Sequence, residues 1–114
     1  MTISEVYDIS TKLGFNAFYC NGNTGVLVYP ADPTNSGWCV NAIYDSMVMV
    51  ENPQAVAHKT RTVLSWKKKT TIQLNKISAK DFENRMNQIV LNLNFALKQI
   101  QLSKNLKQIN KDFQ

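Results

Sequence analysis

The sequence predicts an α+β domain: a short N-terminal helix, an antiparallel sheet of four to six strands, and a long C-terminal helix packed on that sheet. Three observations carry the prediction. A helix-capping pattern opens the chain, β-rich runs separated by Gly, Asn and Pro fill its middle, and an unbroken helical periodicity runs from Ser78 to the end. The whole of 1–114 reads as a single domain, since a chain of 114 residues buries roughly two-thirds of its unfolded surface in one core.

Thr2-Ile-Ser-Glu5 matches a capping box, in which the Thr hydroxyl accepts from a backbone amide and Glu5 reaches back. Val6, Ile9 and Leu13 follow at helical spacing, and Gly14 supplies a left-handed C-cap. This places a helix from about Ile3 to Leu13. Phe15 to Cys20 and Val26 to Tyr29 are strands joined through Asn21-Gly22-Asn23-Thr24-Gly25. Both are apolar on both faces, which predicts cover on each side. Pro30 to Gly37 reads as a loop, and Trp38 to Tyr44 and Met47 to Val50 resume strand character.

Asn52-Pro53 fits the N-cap and first position of a helical turn through Ala57. From Lys59 the pattern alternates as a strand, and after Lys67-Lys68-Lys69 it alternates again to Asn75. The three lysines are then expected at a hairpin tip, with Trp66 facing Thr70 and Leu64 facing Ile72. Ser78, with Asp81 three residues on, caps the last helix, and Ile77 and Phe82 form a hydrophobic staple. Phe82, Met86, Ile89, Leu93, Leu97 and Ile100 make the stripe for the sheet; Leu91, Phe95, Leu102, Leu106, Ile109 and Phe113 make a second, rotated one. A helix over about 78–113 is longer than a compact domain of this size, so it either bends or overhangs after Ser103. An overhanging Leu102, Leu106, Ile109 and Phe113 need another chain to cover them, which makes this end a site for self-association or a partner helix.

Charge is divided unevenly. Residues 1–57 hold one base, Lys12, against Glu5, Asp8, Asp32, Asp45 and Glu51; residues 58–114 hold the other twelve of 13 Lys and Arg, against Asp81, Glu83 and Asp112. Such asymmetry points to an anionic partner. The candidate partner-binding set is Lys59, Arg61, Lys67, Lys68, Lys69 and Gln73, all on the expected basic hairpin.

Catalysis is not expected. His58 is the single histidine, Cys20 and Cys39 lack metal-ligand spacing and read as free thiols, and Gly22 to Gly25 lacks the Lys-Ser/Thr pair of a phosphate-binding loop. The site therefore has no expected catalytic residues, cofactor or metal. The N-terminus has no secretory signal pattern, and no apolar run approaches the ~20 residues of a membrane span. A cytoplasmic protein without membrane contact follows.

The function expected is non-catalytic binding of an acidic protein surface, as an inhibitor or adaptor of the kind a virus or mobile element encodes. The alternative is a nucleic-acid-binding domain whose same basic residues contact phosphates.

Overall fold

The computed structural model describes residues 1–31 and 37–112, with side chains to Leu106. Helix α1 (Ile3–Lys12) is followed by strands β1 (Asn16–Cys20), β2 (Gly25–Tyr29), β3 (Val40–Ile43), β4 (Ser46–Ala57) and β5 (Thr62–Gln73). A single 3-10 turn (Leu74–Lys76) then leads into helix α2 (Ala79–Asp112). The five strands form one antiparallel meander in sequence order, and both helices lie on the same face of it.

The local signals at the helix ends operate as the sequence predicts. Glu5 N–H donates to Thr2 Oγ1 at 3.2 Å while Thr2 N–H donates to Glu5 Oε1 at 3.0 Å, so two end donors are satisfied reciprocally. At the other end Gly14 has φ of 91°, and Phe15 N–H reaches back to the Ser10 carbonyl at 3.0 Å. This is a Schellman closure, which needs the left-handed conformation that glycine adopts without strain. Ser78 Oγ accepts from Asp81 N–H at 3.1 Å and starts α2.

The core lies between the sheet and the two helices. Val26, Val28, Val40, Ala42, Met47 and Met49 point from the strands toward Val6 of α1 and toward Phe82, Met86 and Ile89 of α2, and all are buried. Tyr7 of α1 stacks on Tyr19 of β1 with ring centroids 4.5 Å apart. Among the described residues no helix lies on the opposite face of the sheet. Cover on both sides of β1 and β2 is therefore not found among the described residues: β1 is an edge strand, and Phe18 on its open face is 57% exposed.

Two further expectations are corrected. No helical turn forms at Asn52-Pro53, because β4 runs straight through it and pairs Pro53 with Trp66. Beyond Met49 no residue of β4 pairs with β3, so its outer half has a free edge where a residue lacking N–H is tolerated. Nor do the lysines form a hairpin tip. Strand β5 is continuous through Lys67 to Lys69; Leu64 faces Ala55, Thr70 faces Met49, and Ile72 faces Met47. The connection lies at His58–Arg61 instead, closed by His58 N–H donating to the Arg61 carbonyl at 2.8 Å. What the lysine run marks is a kink: Lys68 takes φ of 62° opposite Glu51, and the register is the same on either side.

The long β4–β5 ribbon answers the question of the overlong helix. Helix α2 is continuous to Asp112, about 51 Å at 1.5 Å per residue, and does not bend after Ser103. The ribbon runs beside it, with Pro53 and Ala96 buried along a shared cleft and Ile100 buried farther out, and a 2.8 Å hydrogen bond joins Thr62 Oγ1 to Ser103 Oγ near the ribbon's end. Past Ser103 the helix overhangs. The molecule is accordingly elongated, 57 × 25 × 22 Å, with a radius of gyration of 16.5 Å against roughly 13 Å for a compact chain of this size.

Candidate macromolecule-binding surface

The architecture divides the chain into a body and an arm. The arm comprises the outer ribbon with the distal part of α2, residues 51–69 and 92–112. Its sequence holds Lys59, Arg61, Lys67, Lys68, Lys69, Lys98, Lys104, Lys107 and Lys111 against Glu51 and Asp112, a formal +7. The remaining residues hold Lys12, Lys76, Lys80 and Arg85 against six acids, a formal −2. An asymmetry read along the chain thus becomes one between two parts of the molecule.

Within the arm the candidate residues fall into separate groups. Lys59 and Arg61 are exposed at the turn, and the Thr62–Ser103 hydrogen bond puts the α2 backbone at Lys104 next to the start of β5. Lys67, Lys68 and Lys69 lie mid-strand at the kink. Lys69 belongs to the open sheet face, where its Nζ stands 5.9 Å from the centroid of Trp38. Lys68 lies on the helix side and lines a cleft of about 250 Å³ with Glu51, Asn52, Arg85, Gln88 and Asn92. There the Arg85 guanidinium donates to the Glu51 carboxylate, tying β4 to α2. Gln73 is exposed at the body end of β5, some 40 Å of strand away from Lys59 and not part of the same patch.

The apolar candidates lie on the outward side of α2. Leu102 and Leu106 are each 61% exposed, and Leu91 and Phe95 continue their line toward the body at 62% and 64%. The backbone of Ile109 continues the same helix, but its side chain, like all of Phe113, lies outside the described residues.

One surface escaped the sequence reading. A row of paired residues, Phe18–Leu27–Asn41–Val48–Thr71, crosses the open face of all five strands. Phe18 meets Tyr29 edge to face at 5.9 Å, and Asn41 Oδ1 is buried there without a hydrogen-bond donor. Apolar residues on both strand faces were legible in the sequence, but which face lacked a second layer was not.

Cys39 offers no activated nucleophile. Cys39 is fully buried, and loss of hydration pushes its pKa from 9.0 up to about 12; both cysteines are free. Among the described residues no three His, Cys, Asp or Glu side chains gather to hold a metal, and no helix is long and apolar enough to cross a membrane. The chain matches no family model, no curated protein and no solved structure.

Proposed function

We propose that this protein is a non-catalytic binding module, an inhibitor or adaptor that engages an acidic protein surface through its cationic arm. The observation that carries this reading is the formal +7 on the arm beside −2 on the rest of the chain. Like charges concentrated on an elongated projection steer an acidic partner to that end and disfavour contact through the body. Lys59, Arg61 and Lys104 are the first contacts, and Lys67 and Lys69 extend the surface along β5.

A second reading has its own observation. Exposed Phe18 and half-buried Tyr29 lie at one edge of the open sheet face, and Lys69 lies at the other beside Trp38; aromatics and a cation on one sheet face suit the stacking of unpaired bases.

Fluorescence anisotropy with two labelled polyanions, poly-glutamate and an unstructured oligonucleotide, separates the two across a salt series. The acidic-protein reading expects poly-glutamate binding that weakens as salt rises, and a loss of at least ~10-fold in the K59E/R61E/K104E variant. Tighter oligonucleotide binding that is lost on Phe18→Ala would transfer the assignment to nucleic acid. No binding of either polymer at ~20 mM salt would remove both.

A further inference from the structure

We infer that the outward face of α2 is a two-fold contact with a second copy of this chain, the two helices running antiparallel and crossing between Lys98 and Gln99. On this helix Leu93, Ala96 and Ile100 are buried, while Leu91, Phe95, Leu102 and Leu106 are all more than 60% exposed on the outward side, with Phe95 also bordering a cleft it shares with Pro53 and Ala55 of β4. An amphipathic surface helix needs one apolar stripe; α2 has two, and its own fold uses only one.

The spacing of the exposed stripe selects a second copy over an unrelated partner. Its four members with described side chains, Leu91, Phe95, Leu102 and Leu106, are separated by four, seven and four residues, intervals that read the same in both directions. A two-fold contact requires this self-complementarity, because every residue must meet its counterpart when the partner is turned end for end. Antiparallel docking sets Leu91 against the partner's Leu106 and Phe95 against the partner's Leu102 at once, over about 22 Å of helix. It also places Asn92 opposite the partner's Asn105.

Charge selects the direction. The stripe is flanked mainly by amides, including the hydrogen-bonded pairs Gln88–Asn92 and Gln101–Asn105, each at 3.0 Å. Between Leu91 and Leu106 the charged residues are Lys98 and Lys104, and Lys104 belongs by helical spacing to the ribbon side, so an acidic partner has little to pair with on this face. Parallel docking would lay two cationic arms side by side. Antiparallel docking lays each arm along the other copy's body, toward Asp81 and Glu83 at the start of its α2. Four large apolar side chains and their amide borders from each copy remove on the order of 1,000 Å² from water in total, the lower bound for a specific interface.

Sedimentation of the full chain between ~1 and ~200 μM tests this first. The expected mass is twice 13.0 kDa at the upper concentrations. The F95D and L102D variants, altered at solvent-facing positions, are expected to stay monomeric throughout, with circular dichroism unchanged and a melting temperature equal to that of wild type at ~1 μM. Direction is read by disulfide trapping in a C20S background. A mixture of F95C and L102C chains is expected to cross-link mainly to each other, and L91C mainly to L106C. A wild-type monomer at every concentration, or a dimer that survives F95D and L102D, overturns the contact. A dimer in which each cysteine variant links to itself overturns the antiparallel arrangement.

Discussion

Body and arm are built from the same two strands and the same helix, yet they bury very different material. In the body β4 and β5 lie in a five-stranded sheet, and Met47, Met49, Phe82, Met86 and Ile89 are almost wholly removed from solvent. In the arm the two strands stand alone against α2, and the buried set shrinks to Pro53, Ala96 and Ile100, with Leu93 at the border beside Leu13 and Phe15 of the body. Apolar area removed from water scales with stabilisation at roughly 25 cal/mol per Å², so most of the folding free energy resides in the body. The arm is a less stable extension that concentrates charge. Binding surfaces are commonly drawn from such regions, because exposed cations and thin packing are incompatible with a dense core.

The largest expected effect tests that division directly. Phe82→Ala should cost about 3–5 kcal/mol in denaturant unfolding, and Ile100→Ala about 2 kcal/mol or less, because the arm site is more open and collapses around the lost atoms. Equal costs for the two would break the distinction.

Next in size is Gly25→Ala, which probes packing inside the body. A Cβ at this position would stand 2.9 Å from both the Ala42 carbonyl oxygen and Cys20 Sγ. One of these atoms is rigid backbone, so a loss of about 2 kcal/mol is expected on thermal unfolding. An unchanged melting temperature would show that the strand junction is looser than its geometry implies.

Cys39 sharpens the same point through pH. Its thiol is held at about 12 in the folded protein against 9.0 ordinarily. Below pH 9 both folded and unfolded chains keep the proton, and the thiol contributes no pH dependence. Between the two values the unfolded chain releases it and the folded chain does not, so stability falls as pH rises. Relative to Cys39→Ala, wild type should lose about 1.4 kcal/mol per pH unit over this window, compared by urea unfolding at pH 8, 9.5 and 10.5. Parallel curves for the two proteins would place water beside that thiol.

The smallest effect belongs to the arm. Thr62→Val removes the hydrogen bond to Ser103 and should cost about 1 kcal/mol. Amide exchange should accelerate in residues 54–66 while the Val26 and Met47 amides keep their protection. Acceleration spread evenly over the chain would mean that arm and body unfold as one.

Local chemistry was legible wherever a few neighbouring residues suffice. Thr2 with Glu5, Gly14, and Ser78 with Asp81 mark helix ends through contacts spanning three or four positions. The stripe from Phe82 to Ile100 names its buried face by periodicity, except that Leu97 is half-buried and Ala96 takes the buried position beside it. The Asn/Gly-rich link between β1 and β2 likewise carries its turn in its composition, with Asn21, Gly22 and Asn23 all at positive φ. In the candidate site, the sequence supplied the cations and the second apolar stripe, but not their grouping.

What tertiary structure alone decided is the path of the middle of the chain. Asn52-Pro53 and Lys67-Lys68-Lys69 both resemble interruptions when read locally, yet they lie side by side within one ribbon, each part of the other's pairing. Strand continuity depends on a partner many residues away, so short-range preference misplaces the turn. The overhang of α2 follows from the same cause, since the ribbon covers one side of the helix only as far as the region of Ser103. Residue types and caps determined the elements; long-range pairing determined which cations share an end of the molecule and which apolar face was left to water.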